Sequence, residues 1–131
     1  MKGFRFALGA CVIATFTLAL ASEDAPPAHV KVMKDLGASV GNLRKNIEVE
    51  KNANAILTAM TEVDTFWKAR NSATADKSCN DTREGAMAIV KAAQASDQAG
   101  VSAGMKQMGA GCKACHDAHR EKISETVYKI K

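Results

Sequence analysis

The sequence predicts an all-α fold, an antiparallel four-helix bundle. Three observations carry this. No stretch of the 131 residues alternates with period 2. Apolar residues recur instead at spacings of 3 and 4, the mark of a buried helix face. Aromatics make up only 5% and there are only two prolines, while Ala, Lys, Leu and Met are plentiful, which favours helix over sheet. A chain of this length holds one domain. The 18 Lys and Arg against 14 Asp and Glu give a formal charge of +4. The two signs are interspersed, so no basic stripe points to nucleic acid, and none is expected as a partner.

Residues 1–21 read as a signal peptide. Lys2 and Arg5 form a basic start, and the apolar run Phe6–Leu20 follows. That run is shorter than the ~20 residues of a membrane span. It ends in Ala19-Leu20-Ala21, the small-x-small pattern of signal peptidase, so cleavage is expected after Ala21. An uncleaved anchor and a lipid-modified Cys11 are the competing readings. The expected mature domain, 22–131, is periplasmic and has no stable membrane insertion. Its charge is 16 basic against 14 acidic side chains, and it keeps Cys79, Cys112 and Cys115. An odd cysteine count in an oxidising compartment means that not all can pair within the chain.

The first helix carries Met33, Leu36, Val40, Leu43 and Ile47 on one face, with Pro26 and Pro27 just before it. The second carries Val49, Ala53, Ile56, Met60, Val63 and Trp67. The step from Ile47 to Val49 breaks the phase, which places a tight turn near Asn46; one long bent helix is the alternative. Asn71–Asn80 is polar and small and reads as the longest loop, with Cys79 in it. Asp81 followed by Glu84 resembles a helix N-terminal cap, and the third helix turns Ala86, Ile89, Val90 and Ala93 inward. Ser96–Gly100 is a short connection. The fourth helix aligns Val101, Met105, Met108, Cys112, Cys115, His119, Ile123 and Val127. Four amphipathic helices on short loops favour antiparallel neighbours.

The chemistry lies in Cys112-Lys113-Ala114-Cys115-His116, a C-x-x-C-H sequence. Two thiols three residues apart can each add to one vinyl group of a haem, and the adjacent His then becomes the proximal iron ligand. The alternatives fit less well. A thioredoxin-like pair needs a βαβ context. Zinc needs a fourth ligand, for which only His29 and His119 remain. A disulfide between Cys112 and Cys115 is poorly placed inside a helix. Met33 sits on an apolar face, where Met is usually core filler, so spacing alone leaves its role open.

Gly109-Ala110-Gly111-Cys112-Lys113-Ala114-Cys115-His116, followed by Arg120, resembles the cytochrome c′ family, the class II c-type cytochromes. Met33-Lys34-Asp35-Leu36-Gly37 is similar to the first-helix motif of that family's low-spin members. The resemblance implies one covalently bound haem c per chain in the helical bundle, anchored by Cys112 and Cys115. It implies His116 as the proximal ligand, Met33 as the distal ligand and Arg120 as a haem-propionate contact. Homodimerisation is compatible with it. Three features depart from the family pattern: His119 stands where Phe or Tyr is usual, His29 where many members have Arg, and the segment between the first two helices is short.

The functional expectation is a non-enzymatic electron-transfer cytochrome that exchanges electrons with redox partner proteins at the haem edge. The alternative is a five-coordinate, high-spin haem protein that binds NO or CO, and it holds if Met33 does not ligate. A peroxidase would need a distal acid–base group, for which His29 is the one candidate. His29 is also the reserve iron ligand, and His119 is expected to pack or to bond a propionate. Gly37 and Gly41, one turn apart in the first helix, suggest close approach by the haem or another helix.

Overall fold

A computed structural model describes residues 22–131. The expected signal peptide, 1–21, lies outside the described residues. Four helices follow one another: α1 (Pro27–Arg44), α2 (Val49–Lys68), α3 (Ala73–Gln94) and α4 (Gln98–His119). Pro27 occupies the first turn of α1, where its missing N–H costs nothing. The turn expected near Asn46 is present. Asn46 (φ 57°) and Glu48 (φ 41°) both take left-handed backbone there. Buried Asn52 ties it down: its side-chain amide donates to the Ile47 carbonyl at 2.9 Å and its oxygen accepts from Asn42 Nδ2 at 3.2 Å. Ile47, expected inward, is outside both helices and exposed.

The inward face expected for α2 is observed from Ala53 onward, with Ala53, Ile56, Met60, Val63 and Trp67 all buried, while Val49 in its first turn is half-buried. For α3 the reading changes. Asn71–Asn80 is not the longest loop. The helix begins at Ala73, capped by Ser72, whose hydroxyl accepts from the Ala75 N–H at 3.2 Å. Asp81 is not a cap; it pairs with Lys77 one turn back at 2.6 Å. Ser78 and Thr82 donate to the carbonyls of Thr74 and Ser78, so their hydroxyls are satisfied within the helix and can be buried. Cys79 lies inside this helix at 1% exposure, not in a loop.

The last element also differs. α4 ends at His119, so Ile123 and Val127 do not extend its face and are exposed. The chain instead forms β2 (Arg120–Lys122) and β3 (Tyr128–Ile130). With β1 (Glu23–Asp24) they make a small antiparallel sheet in the order β1-β3-β2. Glu23 and Arg120 both lie opposite Ile130. Buried Ile130 anchors the sheet to the core, and the Lys131 N–H donates to the last α4 carbonyl, His119 O, at 2.9 Å. The two ends of the domain are thereby stapled together.

α3 and α4 form the closest pair. Glycines allow it: a Cβ on Gly85 would run into the Met108 backbone, and one on Gly104 would come within 2.7 Å of Ile89. α2 packs on α3 and α1 on α2, but α1 and α4 barely approach each other. The bundle is therefore open along the side between its first and last helices. The expected close approach at Gly37 and Gly41 is not made by protein, since an added Cβ there meets nothing within 4 Å.

Candidate functional site on the last helix

The open side gathers the residues that the sequence singled out. On α4, Val101, Gly104, Met108 and Gly111 are buried against α3. This turns Met105, Cys112 and Cys115 to the edge of the core, where they are half-buried. On α1, Met33, Leu36 and Val40 are half-buried in the same way. α1 and α4 thus each leave a partly covered apolar stripe at the edge of the core. Hydrophobic faces of this kind are normally covered by a further element or by a ligand.

The ionisable groups of the motif sit in a drying environment. Burial, and then the Arg120 charge, hold His116 below the usual imidazole range, so it is neutral and free to bind a metal. Burial raises the Cys112 thiol and pushes Cys115 up to about 11. Both are protonated thiols at neutral pH. Cys79, Cys112 and Cys115 are all free, so no disulfide joins them. Among the described residues no three His, Cys, Asp or Glu side chains gather as a metal site.

At the end of the bundle near His116 lies an aromatic cluster. His29 stacks on Phe66 at 4.0 Å and meets Trp67 edge-on at 6.2 Å. His119 lies against the other side of the cluster, 4.4 Å from Trp67, and bonds Ser72 Oγ at 3.0 Å. His119 therefore packs, one of its two expected roles. Burial lowers the His29 pKa, with the charges of Arg70 and His116 adding to it. Nδ1 of His29 and Nε1 of Trp67 are buried without a hydrogen-bond partner among the described residues. Such orphans are rare in native interiors and point to a missing polar group. Arg120 has left the helix, and its guanidinium lies 4.5 Å over the Tyr128 ring.

These features fit a haem. Its hydrophobic plate would fill the α1–α4 gap, its vinyl groups meet two free thiols, and its propionates would bring polar atoms to a region with orphaned donors and acceptors. The sequence alone did not point to Thr82, to the packing of Gly111 against it or to the Phe66–Trp67–His29 stack. The signal for the glycines was present, since Gly104 and Gly111 are one heptad apart on α4.

A family model described as cytochrome c′ matches residues 64–120, from the last turns of α2 through Arg120. The match contains the C-x-x-C-H motif and leaves α1, with Met33, outside it. No curated protein and no solved structure matches the chain.

Proposed function

We propose that this protein is a periplasmic electron-transfer cytochrome with one haem per chain, from the premise that residues 64–120 match the cytochrome c′ family, which implies a covalently bound haem c. The observation that supports the reading is that Cys112, Cys115 and His116 on α4, and Met33 on α1, are all half-buried at the edge of the core. When bound, the haem supplies one-electron exchange between ferric and ferrous iron.

The chain's own residues do the rest. Cys112 and Cys115 hold the haem through thioethers. His116, kept neutral by burial, provides the proximal nitrogen. Met33 provides the distal thioether, a soft ligand that raises the potential. Leu36 and Val40, on the Met33 side of the gap, exclude water. Arg120, one turn beyond His116, serves a propionate once it swings from Tyr128. Export by residues 1–21 belongs to the same proposal. No helix of the described residues is long and apolar enough to cross a membrane. No acid–base role is assigned, and acidic redox proteins are the expected partners, steered by the basic excess of the mature domain.

Expression with a haem-attachment system tests this directly. Denaturing mass spectrometry should show the chain from residue 22 plus one haem; a bare polypeptide mass refutes the haem. The visible spectrum of the loaded protein should be low-spin and insensitive to CO. A high-spin spectrum with rapid CO binding would replace electron transfer by the gas-binding alternative.

A further inference from the structure

The two thiols of the motif do not have equivalent surroundings. Cys112 Sγ lies 3.9 Å from the Thr82 hydroxyl on α3. Among the described residues no side chain bonds Cys115 Sγ. Thr82 is 2% exposed, and its hydroxyl donates to the Ser78 carbonyl at 2.8 Å. A hydroxyl has one hydrogen and two lone pairs. With its hydrogen on Ser78, Thr82 keeps a lone pair to accept the Cys112 S–H.

Gly111 brings the two residues together. A Cβ at that position would come 2.5 Å from Thr82 Oγ1, 2.7 Å from the Thr82 nitrogen and 2.9 Å from the Ser78 carbonyl. The bare backbone at Gly111 therefore seats α4 on the Ser78–Thr82 turn, one residue before the first thiol. A cysteine on a helix has two main side-chain rotamers. A buried acceptor on the facing helix selects the one that points to it.

We propose that Thr82 is a positioning residue for haem attachment, holding Cys112 Sγ in the orientation from which its thioether forms. The inference rests on the haem reading above. The step is an addition. The Cys112 S–H bond breaks, sulfur bonds the vinyl carbon next to the ring, and the hydrogen ends on the outer vinyl carbon. No group leaves and no external oxidant or reductant is consumed. Thr82 touches only the sulfur and its hydrogen, and it directs the thiol without entering the bond change. Cys115 has no such partner, so its thioether does not depend on Thr82.

The test compares Thr82→Val, which keeps the shape and loses the oxygen, with Thr82→Ser, which keeps the oxygen. Both are produced with the haem-attachment system, sampled through a short induction, denatured and alkylated. Wild type should show one alkylated thiol, Cys79. Thr82→Val should show a second, at Cys112, with attachment there slowed roughly two- to tenfold, the worth of one net hydrogen bond. The alkaline pyridine spectrum of that variant should move to longer wavelength, because one vinyl stays conjugated with the ring. Thr82→Ser should match wild type in both readouts. If Thr82→Val does not accumulate, Thr82→Ala, smaller and equally without oxygen, replaces it with the same expectation. Equal loading of Cys112 in the hydroxyl and non-hydroxyl variants overturns the proposal. Wild type without covalent haem instead overturns the haem reading itself, so the two failures are distinguishable.

Discussion

Met33→Leu decides between electron transfer and gas binding. Met33 is half-buried on α1 and packs against the core, whereas the fully buried residues of that helix are Val32 and Leu43. Leucine has nearly the same volume, and such swaps usually cost less than about 1.5 kcal/mol. For a domain near this size that is a fall in unfolding midpoint of no more than about 6 °C, at about 4 °C per kcal/mol. The packing cost is thus small, while the loss of the sulfur is complete. The variant should keep its helical circular dichroism and its covalent haem. Its iron should change from six-coordinate low spin to five-coordinate high spin. The weak ferric band at the red end of the visible spectrum, which marks a Met–iron bond, should vanish. CO should then bind the reduced protein without first displacing a ligand. A variant that keeps the wild-type low-spin spectrum refutes Met33 as the ligand. His29, whose Nδ1 is buried and unpaired, would then be the residue to replace next.

Other expectations follow from the packing and the buried groups. Gly85→Ala should destabilise by about 1–3 kcal/mol, because its new Cβ meets the Met108 backbone, outweighing the gain in helix propensity of about 1 kcal/mol; a raised melting temperature would contradict the close α3–α4 pairing. Cys79→Ser places a hydroxyl in the core and should cost about 1–2 kcal/mol in urea unfolding, softened by a bond to its own helix, with an unchanged haem spectrum. An unchanged urea midpoint would show that Cys79 is not buried. The depressed pKa of His29 makes stability depend on pH. Between its folded value and the 6.5 of the unfolded chain, the unfolded state binds more protons. The His29 contribution is therefore fully present above 6.5 and is lost as pH falls below it. His29→Phe, which keeps the stack on Phe66, should reduce the difference between urea midpoints at about pH 7.5 and about pH 5; an undiminished difference refutes the assignment.

The amino-acid sequence by itself determined the helical class, the inner face of α2 from Ala53 to Trp67, the turn at Asn46 and the presence of the C-x-x-C-H motif. These are local properties. A 3-and-4 apolar spacing, a break in its phase and a five-residue motif are each readable without knowing what lies across the core. What failed were the places where a distant partner decides. The first turns of α3 look like a loop because Ser, Thr, Asn and Asp disfavour helix interiors. They become helix because Ser78 and Thr82 satisfy their hydroxyls on the backbone one turn back and bury against Gly111 of α4. The residues after His119 continue the apolar spacing, yet they leave the helix because β3 pairs with both β2 and β1, and no periodicity within α4 reports a strand nearly a hundred residues away. The proposed haem site follows the same division. Its thiols and imidazole are written side by side in the chain. The proposed site also needs the side between α1 and α4, where glycines seat α4 closely on α3 while α1 packs mainly on α2. Tertiary packing decided it, since the depth of a cleft depends on how closely its other walls pack.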